Sequence, residues 1–188
     1  MSERRGDWQQ TFTGRQFWPL DPRPDDIDVR DIAHALALQC RFAGHCRVPY
    51  SVAEHSVRVS DLIMEQTGDS NAGLAGLLHD AAEAYCVDVP RPLKPFLTGY
   101  KSIERRIAWA IEQWSGLHEG AFEEGLVKRA DEVLLATEAR DLMVTAPVPW
   151  TFAHPVEPLA EVIVPWSWSV AEVVFLSRFM ALAAYRSA

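Results

Sequence analysis

Leu74-Ala75-Gly76-Leu77-Leu78-His79-Asp80-Ala81-Ala82-Glu83 is an apolar run that ends in a histidine, an aspartate and a glutamate. On one continuous helix His79 and Glu83 share a face, and Asp80 lies on its flank. Leu74, Leu77 and Leu78 bury that helix, so the polar groups point into a protected place. Polar and charged groups are costly to bury unless something pairs with them, and a divalent cation does so economically. Imidazole with carboxylate suits zinc, manganese, iron or cobalt. Taken alone, the His-Asp pair fits equally well a helix end whose polar groups bridge neighbouring helices.

Two further helices carry residues of the same type. Ser51-Val52-Ala53-Glu54 is a capping-box sequence that opens a helix, and His55 falls on its stripe of Val52, Val59, Leu62 and Ile63. That histidine reads as a core side chain or as a ligand. A helix from about Phe122 to Met143 carries Leu126, Val127, Ala130, Val133, Leu134 and Thr137, with Asp131 beside them. Asp131 is either a charge on the helix edge or a ligand. Three helices thus bring His55, His79-Asp80 and Asp131 to apolar faces, and bundle cores are where such sites are built.

The remaining elements must position these groups. Residues 1–26, punctuated by Gly14, Pro19, Pro22 and Pro24, predict an irregular arm extended over the body. Its Phe12, Phe17 and Trp18 read as packing, with Trp18 also a candidate nucleobase neighbour. A first helix is expected from about Ile27 to Arg41, with Ile32, Ala35, Leu36 and Leu38 or Gln39 inside and His34 as a core or interface histidine. The loop from Arg41 to Pro49 has cations and an aromatic ring that suit an anionic, ring-bearing ligand, or form a solvated turn. The His79 helix should stop near Cys86, because Pro90, Pro92 and Pro95 forbid its continuation. A helix from about Ser102 to Trp114 follows, carrying Ile103, Ile107, Ile111 and Trp114. After a Pro- and Trp-rich stretch over 146–168, a second capping box, Ser169-Val170-Ala171-Glu172, opens a last helix. Val173, Val174, Leu176, Phe179, Met180 and Leu182 are expected inside that helix. The fold class read from this pattern is all-α, with no alternating run long enough for a sheet.

Composition narrows the function classes. The 188 residues, 48% hydrophobic and 23% charged, suit one globular domain with a sizeable core. A net charge of -8 disfavours long nucleic acid and anionic membranes as partners, yet leaves room for a small anion where cations gather locally. Cys40, Cys46 and Cys86 form no paired spacing, and no signal peptide or membrane-span run is visible, so a cytoplasmic location is expected.

Val52-Ala53-Glu54-His55-Ser56-Val57, Gly76-Leu77-Leu78-His79-Asp80-Ala81-Ala82-Glu83 and Val127-Lys128-Arg129-Ala130-Asp131 together resemble the ordered H…HD…D signature of HD-domain metal phosphohydrolases. The likeness is narrower for the branch of bacterial 5′-deoxynucleotidases and phage dATP triphosphohydrolases. Arg41-Phe42 before His55, and Glu83…Asp88-Val89-Pro90…Lys94 after the HD pair, are similar to patterns of that branch. The arm, with Gly14-Arg15-Gln16-Phe17-Trp18-Pro19-Leu20, is similar to the phage group. Glu83 is followed by Ala84 rather than a second acid, which sets the chain apart from the guanosine tetraphosphate hydrolases. It also lacks the Gly-Tyr-Pro motif of the cyclic-dinucleotide phosphodiesterases.

The resemblance implies a single HD-domain bundle over 1–188: the arm 1–26, a metal-site core 27–145, and a loop and C-terminal helix 146–188. It implies a divalent ion (Mn, Co, Zn, Fe or Mg) on His55, His79, Asp80 and Asp131. Asp80 and Glu83 are then the catalytic pair, with Glu83 placed to orient or deprotonate water. Arg41 and Lys94 become phosphate clamps, Asp88 a partner for a sugar hydroxyl, and Phe42 and Trp18 neighbours of the sugar or base. The expected reaction is hydrolysis of a deoxynucleoside monophosphate or a dATP-like triphosphate by a homo-oligomer. The alternative is a non-catalytic module that binds metal and nucleotide.

Overall fold

The computed structural model describes residues 4–152 and 155–185; residues 1–3 of the expected arm lie outside them. The described chain is mostly helical: α1 (Val29–Leu38), α2 (Val52–Thr67), α3 (Ser70–Leu78), α4 (Glu83–Cys86), α5 (Tyr100–Ser115), α6 (Gly125–Leu142) and α7 (Trp168–Tyr185). Strands β1 (Gln9–Gln10) and β2 (Gln16–Phe17) pair antiparallel in the arm, with Gln9 opposite Phe17. Two residues per strand are too few to show as an alternating pattern in the sequence. None of the described helices is long and apolar enough to cross a membrane.

Helices α2 and α3 form the centre, and the junction between them follows from local chemistry. Gly68 closes α2 in the left-handed conformation at φ 65°, and Asp69 caps α3 by accepting from the Asn71 and Ala72 N–H groups. Gly76 then lets the two helices approach: a Cβ there would lie 2.6 Å from Ile63 Cδ1 and 3.4 Å from the Ser60 Cα. Ser60, fully buried between them, donates to the Gly73 carbonyl at 2.7 Å. Leu74, Leu77 and Leu78 are buried, each contributing about 1.5–3 kcal/mol relative to exposure.

The arm is fastened to this body by side chains. The Asp31 carboxylate, in the first turn of α1, accepts from both the N–H and the hydroxyl of Thr13 at 2.6 and 2.9 Å. Phe17 stacks on Tyr85 at 3.9 Å, and Arg4 forms a two-pronged pair with Asp26. The stretch before α7 is held in the same way. Glu54, fully buried, accepts from the Trp166 N–H as well as from Arg58, and Asp141 accepts from the Ile163 N–H. Glu54 therefore does not close the capping box expected at Ser51, whose hydroxyl accepts from the Glu54 N–H alone.

The second expected capping box shifts too. Helix α7 begins at Trp168, Ser167 supplies the hydroxyl that accepts from the Val170 N–H, and Glu172 pairs with His34. The buried face of α7 is Ala171, Phe175 and Leu182, while Val173 and Met180 are exposed. Apolar residues fall on every side of this helix, so periodicity alone does not select a face.

The close approach of α2 and α3 gives a stability test. Gly76→Val forces atoms into the Ile63 contact and is expected to cost about 1–3 kcal/mol, read as a lower urea midpoint at unchanged slope. An unchanged midpoint would show that the helices part freely.

Candidate metal centre and cleft

His55 sits in the first turn of α2, His79 and Asp80 directly follow α3, and Asp131 and Glu138 lie on one side of α6 two turns apart. The single helix expected to run through His79 and stop near Cys86 is broken here. Ala81 donates to Leu78 and Glu83 to Asp80, each three residues back, and helical bonding resumes only in the short α4. The Gly76 carbonyl, which an unbroken helix would offer to the Asp80 N–H, accepts from His79 Nδ1 at 2.7 Å. The imidazole thus ends the helix that carries it. Glu83 reaches the site from a tight turn rather than from the next turn of the same helix.

The polar atoms converge. His55 Nε2 lies 3.3 Å from His79 Nε2, 3.7 Å from Asp80 Oδ2 and 3.2 Å from Asp131 Oδ1. His79 Nε2 lies 3.3 Å from Asp80 Oδ2. Hydrogen bonding sets the tautomers: His79 Nδ1 faces a carbonyl and His55 Nδ1 faces Glu138 Oε1 at 2.6 Å, and both partners accept. Each ring therefore turns Nε2 toward the shared point, as metal-binding histidines do when their other nitrogen is engaged. His55, His79 and Asp80 form a group whose ligand atoms all lie within 4.8 Å of one another and could hold a metal ion. Asp131 approaches that group through His55.

Electrostatics fit the geometry. Burial works against a charged His79, but the adjacent Asp80 carboxylate outweighs it and lifts the pKa to about 9. Burial and Arg41 oppose a charged His55, yet Glu138 and Asp131 raise it. Burial would raise Asp131, but the two histidines hold it at about 2. Asp80 is likewise held low against burial by His79, His55 and Arg41. Carboxylates that favour a proton on these rings also favour a divalent cation, and the two compete for Nε2. Glu83 behaves oppositely. Burial, with the charges of Asp80 and Asp88, pushes it up to about 9, a shift that a cation among those groups would reverse.

Glu138 is the residue that sequence reasoning missed. It is fully buried, and its two oxygens serve separate partners: Oε1 takes His55 Nδ1, and Oε2 takes Arg41 Nε and Nη2 at 3.1 and 3.0 Å. Its spacing of seven residues from Asp131, on the same helix face, was the available signal. Arg41 is accordingly held inside the structure, 3.5 Å from Asp80 Oδ2, rather than extended toward solvent as a free phosphate clamp.

A cavity of about 780 Å³ opens beside the cluster, bordered by His79, Asp80, Glu83, Lys94 and Asp131. Glu83 Oε1 lies 3.5 Å from Lys94 Nζ, while Oε2 is buried without a hydrogen-bond partner. Lys94 is also held by Glu104 at 2.8 Å. Asp88 lies near enough for Arg41, Asp80 and Lys94 to act on its carboxyl. Trp18 and Phe42 do not border the cavity. The Arg4 guanidinium lies 4.4 Å over the Trp18 ring, and Phe42 packs between Arg41 and Trp150.

Fold and site together define a mostly helical protein with a buried His-His-Asp group, able to take a metal ion, at the edge of a cleft. No family model matches the chain. It is 37% identical over 179 residues to the uncharacterized protein YfdR of Escherichia coli K12, covering 94% of this chain and 96% of that one. It is 36% identical over 146 residues to the uncharacterized protein RCAP_rcc00048 of Rhodobacter capsulatus, covering 72% of each. The chain belongs to the family of these two proteins.

Glu138→Ala leaves Arg41 buried without its main partner and frees the His55 ring. The expected cost is about 3–5 kcal/mol in unfolding free energy. Metal affinity should fall about 10–100-fold by calorimetric titration. Unchanged affinity would mean that His55 is oriented without Glu138.

Proposed function

We propose that the protein is a metal-dependent phosphohydrolase of the HD-domain type, acting on deoxynucleotides. The observation that carries this reading is the convergence of two imidazole nitrogens and the Asp80 carboxylate beside a cleft bordered by a half-paired buried carboxyl, Glu83. His55, His79 and Asp80 would hold the ion, with Asp131 completing the set from α6. The donor set fits: the rings present Nε2, and the carboxylates are held ionised. A divalent ion bound there supplies an activated water and polarises a phosphoryl oxygen.

The chain's own residues supply the rest. Glu83 Oε2 has no protein partner and is placed to accept a proton from the attacking water. Lys94, between Glu83 and Glu104, sets the position of Glu83 and offers positive charge to a phosphate oxygen. Arg41 keeps Glu138 and Asp80 in register, and Asp88 stands close by to accept from a sugar hydroxyl. A purely structural metal site would be closed by its ligands and would need no open cleft or spare carboxyl. Assembly as a homo-oligomer is supported by the uncharged outer face of α7, where Val170, Val173 and Met180 are exposed.

Product chromatography tests the reading. Protein loaded with Mn²⁺, Co²⁺ or Zn²⁺ is incubated with deoxy- and ribonucleoside mono- and triphosphates. Deoxynucleoside with orthophosphate identifies a 5′-nucleotidase, and deoxynucleoside with triphosphate a triphosphohydrolase. Asp80→Ala should lose metal and turnover together. Glu83→Ala should keep the metal while turnover falls about 10²–10⁴-fold. Metal bound with no turnover of any nucleotide would replace this reading with the binding module.

A further inference from the structure

The chain bends after α4 at a residue ill suited to the bend. Val87 has φ 68° and ψ 148°, a region almost reserved for glycine and an outlier for a β-branched side chain. Its side chain is 60% exposed, so burial of the isopropyl group does not offset the strain. Hydrogen bonds on either side hold the bend in place. The Val87 N–H donates to the Glu83 carbonyl at 2.8 Å, and the Tyr100 hydroxyl donates to the Val87 carbonyl at 2.8 Å.

The third restraint is the side chain of Gln39, at the end of α1. Its Nε2 donates to the carbonyls of Ala35 at 3.3 Å and Glu83 at 3.1 Å, and its Oε1 accepts from the Asp88 N–H at 3.0 Å. Both amide hydrogens and the carbonyl are in use, and only this orientation of the amide matches its partners. The Gln39 main-chain carbonyl also accepts from the N–H of Val52, the first residue of the helix that carries His55. One residue therefore ties the His55 helix to the segment bearing Glu83 and Asp88.

We infer that Gln39 is a positioning residue: its amide clamps the Glu83 carbonyl and the Asp88 N–H across the strained Val87, which keeps both carboxylates in register with the His55–His79–Asp80 group. The strain is the cost of that register. A relaxed backbone at residue 87 would turn Asp88 and the end of α4 in another direction. The inference rests on the hydrolase reading for the task of the two carboxylates, whereas the clamp and the strain stand without it.

Val87→Gly and Gln39→Leu in the full chain test it. Val87→Gly relieves the backbone and is expected to raise Tm by about 2–5 °C. Glycine takes the same φ and ψ without strain and the clamp is untouched, so kcat should stay within about twofold of wild type. The discriminating variant is the one that removes the clamp, because a merely structural residue would lower stability without lowering kcat of the folded, metal-loaded protein. Gln39→Leu frees the two carboxylates, so kcat should fall on the order of 10²-fold at unchanged metal content, and the Asp88 amide should exchange hydrogen faster. A Val87→Gly protein with lower Tm, or a folded, metal-loaded Gln39→Leu protein with full turnover, overturns the inference. If the wild-type protein turns over no nucleotide, the hydrolase reading fails by itself. The clamp is then judged by the Val87→Gly Tm and the Asp88 exchange rate, and no change in either overturns it.

Discussion

The structure depends on one buried carboxylate. Glu138 takes His55 on one oxygen and Arg41 on the other, with none of its side chain reaching solvent. A buried ion pair adds little net stability by itself, because desolvation of both charges consumes most of the Coulomb gain. What it adds is geometry. With Glu138 in place, the His55 ring has one orientation, its Nε2 faces His79 and Asp80, and Arg41 balances charge that would otherwise accumulate among Glu138, Asp80 and Asp131. Helices α2 and α6 and the loop after α1 are thereby locked to one another at the site, where apolar packing alone would leave them free to slide.

The same economy governs the end of α3. Close packing on α2 needs glycine at 76, where a Cβ would meet Ile63 and the Ser60 backbone, and that glycine weakens the helix that contains it. The helix ends two residues after Gly76, where His79 turns back to take the Gly76 carbonyl. A side chain that completes its own helix terminus is fixed twice, by the backbone it caps and by the apolar wall around it. That makes it a better ligand than a histidine in mid-helix, whose Nδ1 must find a partner elsewhere.

Much of this was legible in the sequence, and for uneven reasons. The helices over α1, α2, α5 and α6 followed from periodicity, because each is polar on one side. His55 and Asp131 could be placed on apolar faces by counting turns. The break at His79 could not be read, since Leu74 to Cys86 has no proline and every residue tolerates a helix; a side-chain hydrogen bond decides it. The register of α7 was hidden by its uniform hydrophobicity. Glu138 was overlooked because a glutamate on an otherwise apolar helix face is ordinarily a solvated charge, and only tertiary contact with Arg41 and His55 distinguishes it. Gln39 was left as one of two candidates for the buried side, although it carries three side-chain hydrogen bonds and Leu38 is exposed.

Net charge was the weakest guide to what the cleft can hold. A charge of -8 describes the whole surface, whereas a ligand meets the local field. Four cations bordering the cleft, Arg91, Lys101, Arg105 and Arg129, form no ion pair among the described residues, while Lys94 and Lys128 are matched to Glu104 and Glu123. The acidic groups nearest the cluster are already engaged: Asp80 and Asp131 by the histidines, and Glu138 by Arg41 and His55. Their negative charge is therefore directed inward, toward the point where the imidazoles converge, and the unpaired positive charge lies along the wall. Glu119, Glu123 and Glu132 border the same cleft, so its wall mixes both signs of charge and is not a positive patch. Under the hydrolase proposal, a phosphate ester would therefore be drawn in by a cation held on the imidazoles rather than by the protein's own field.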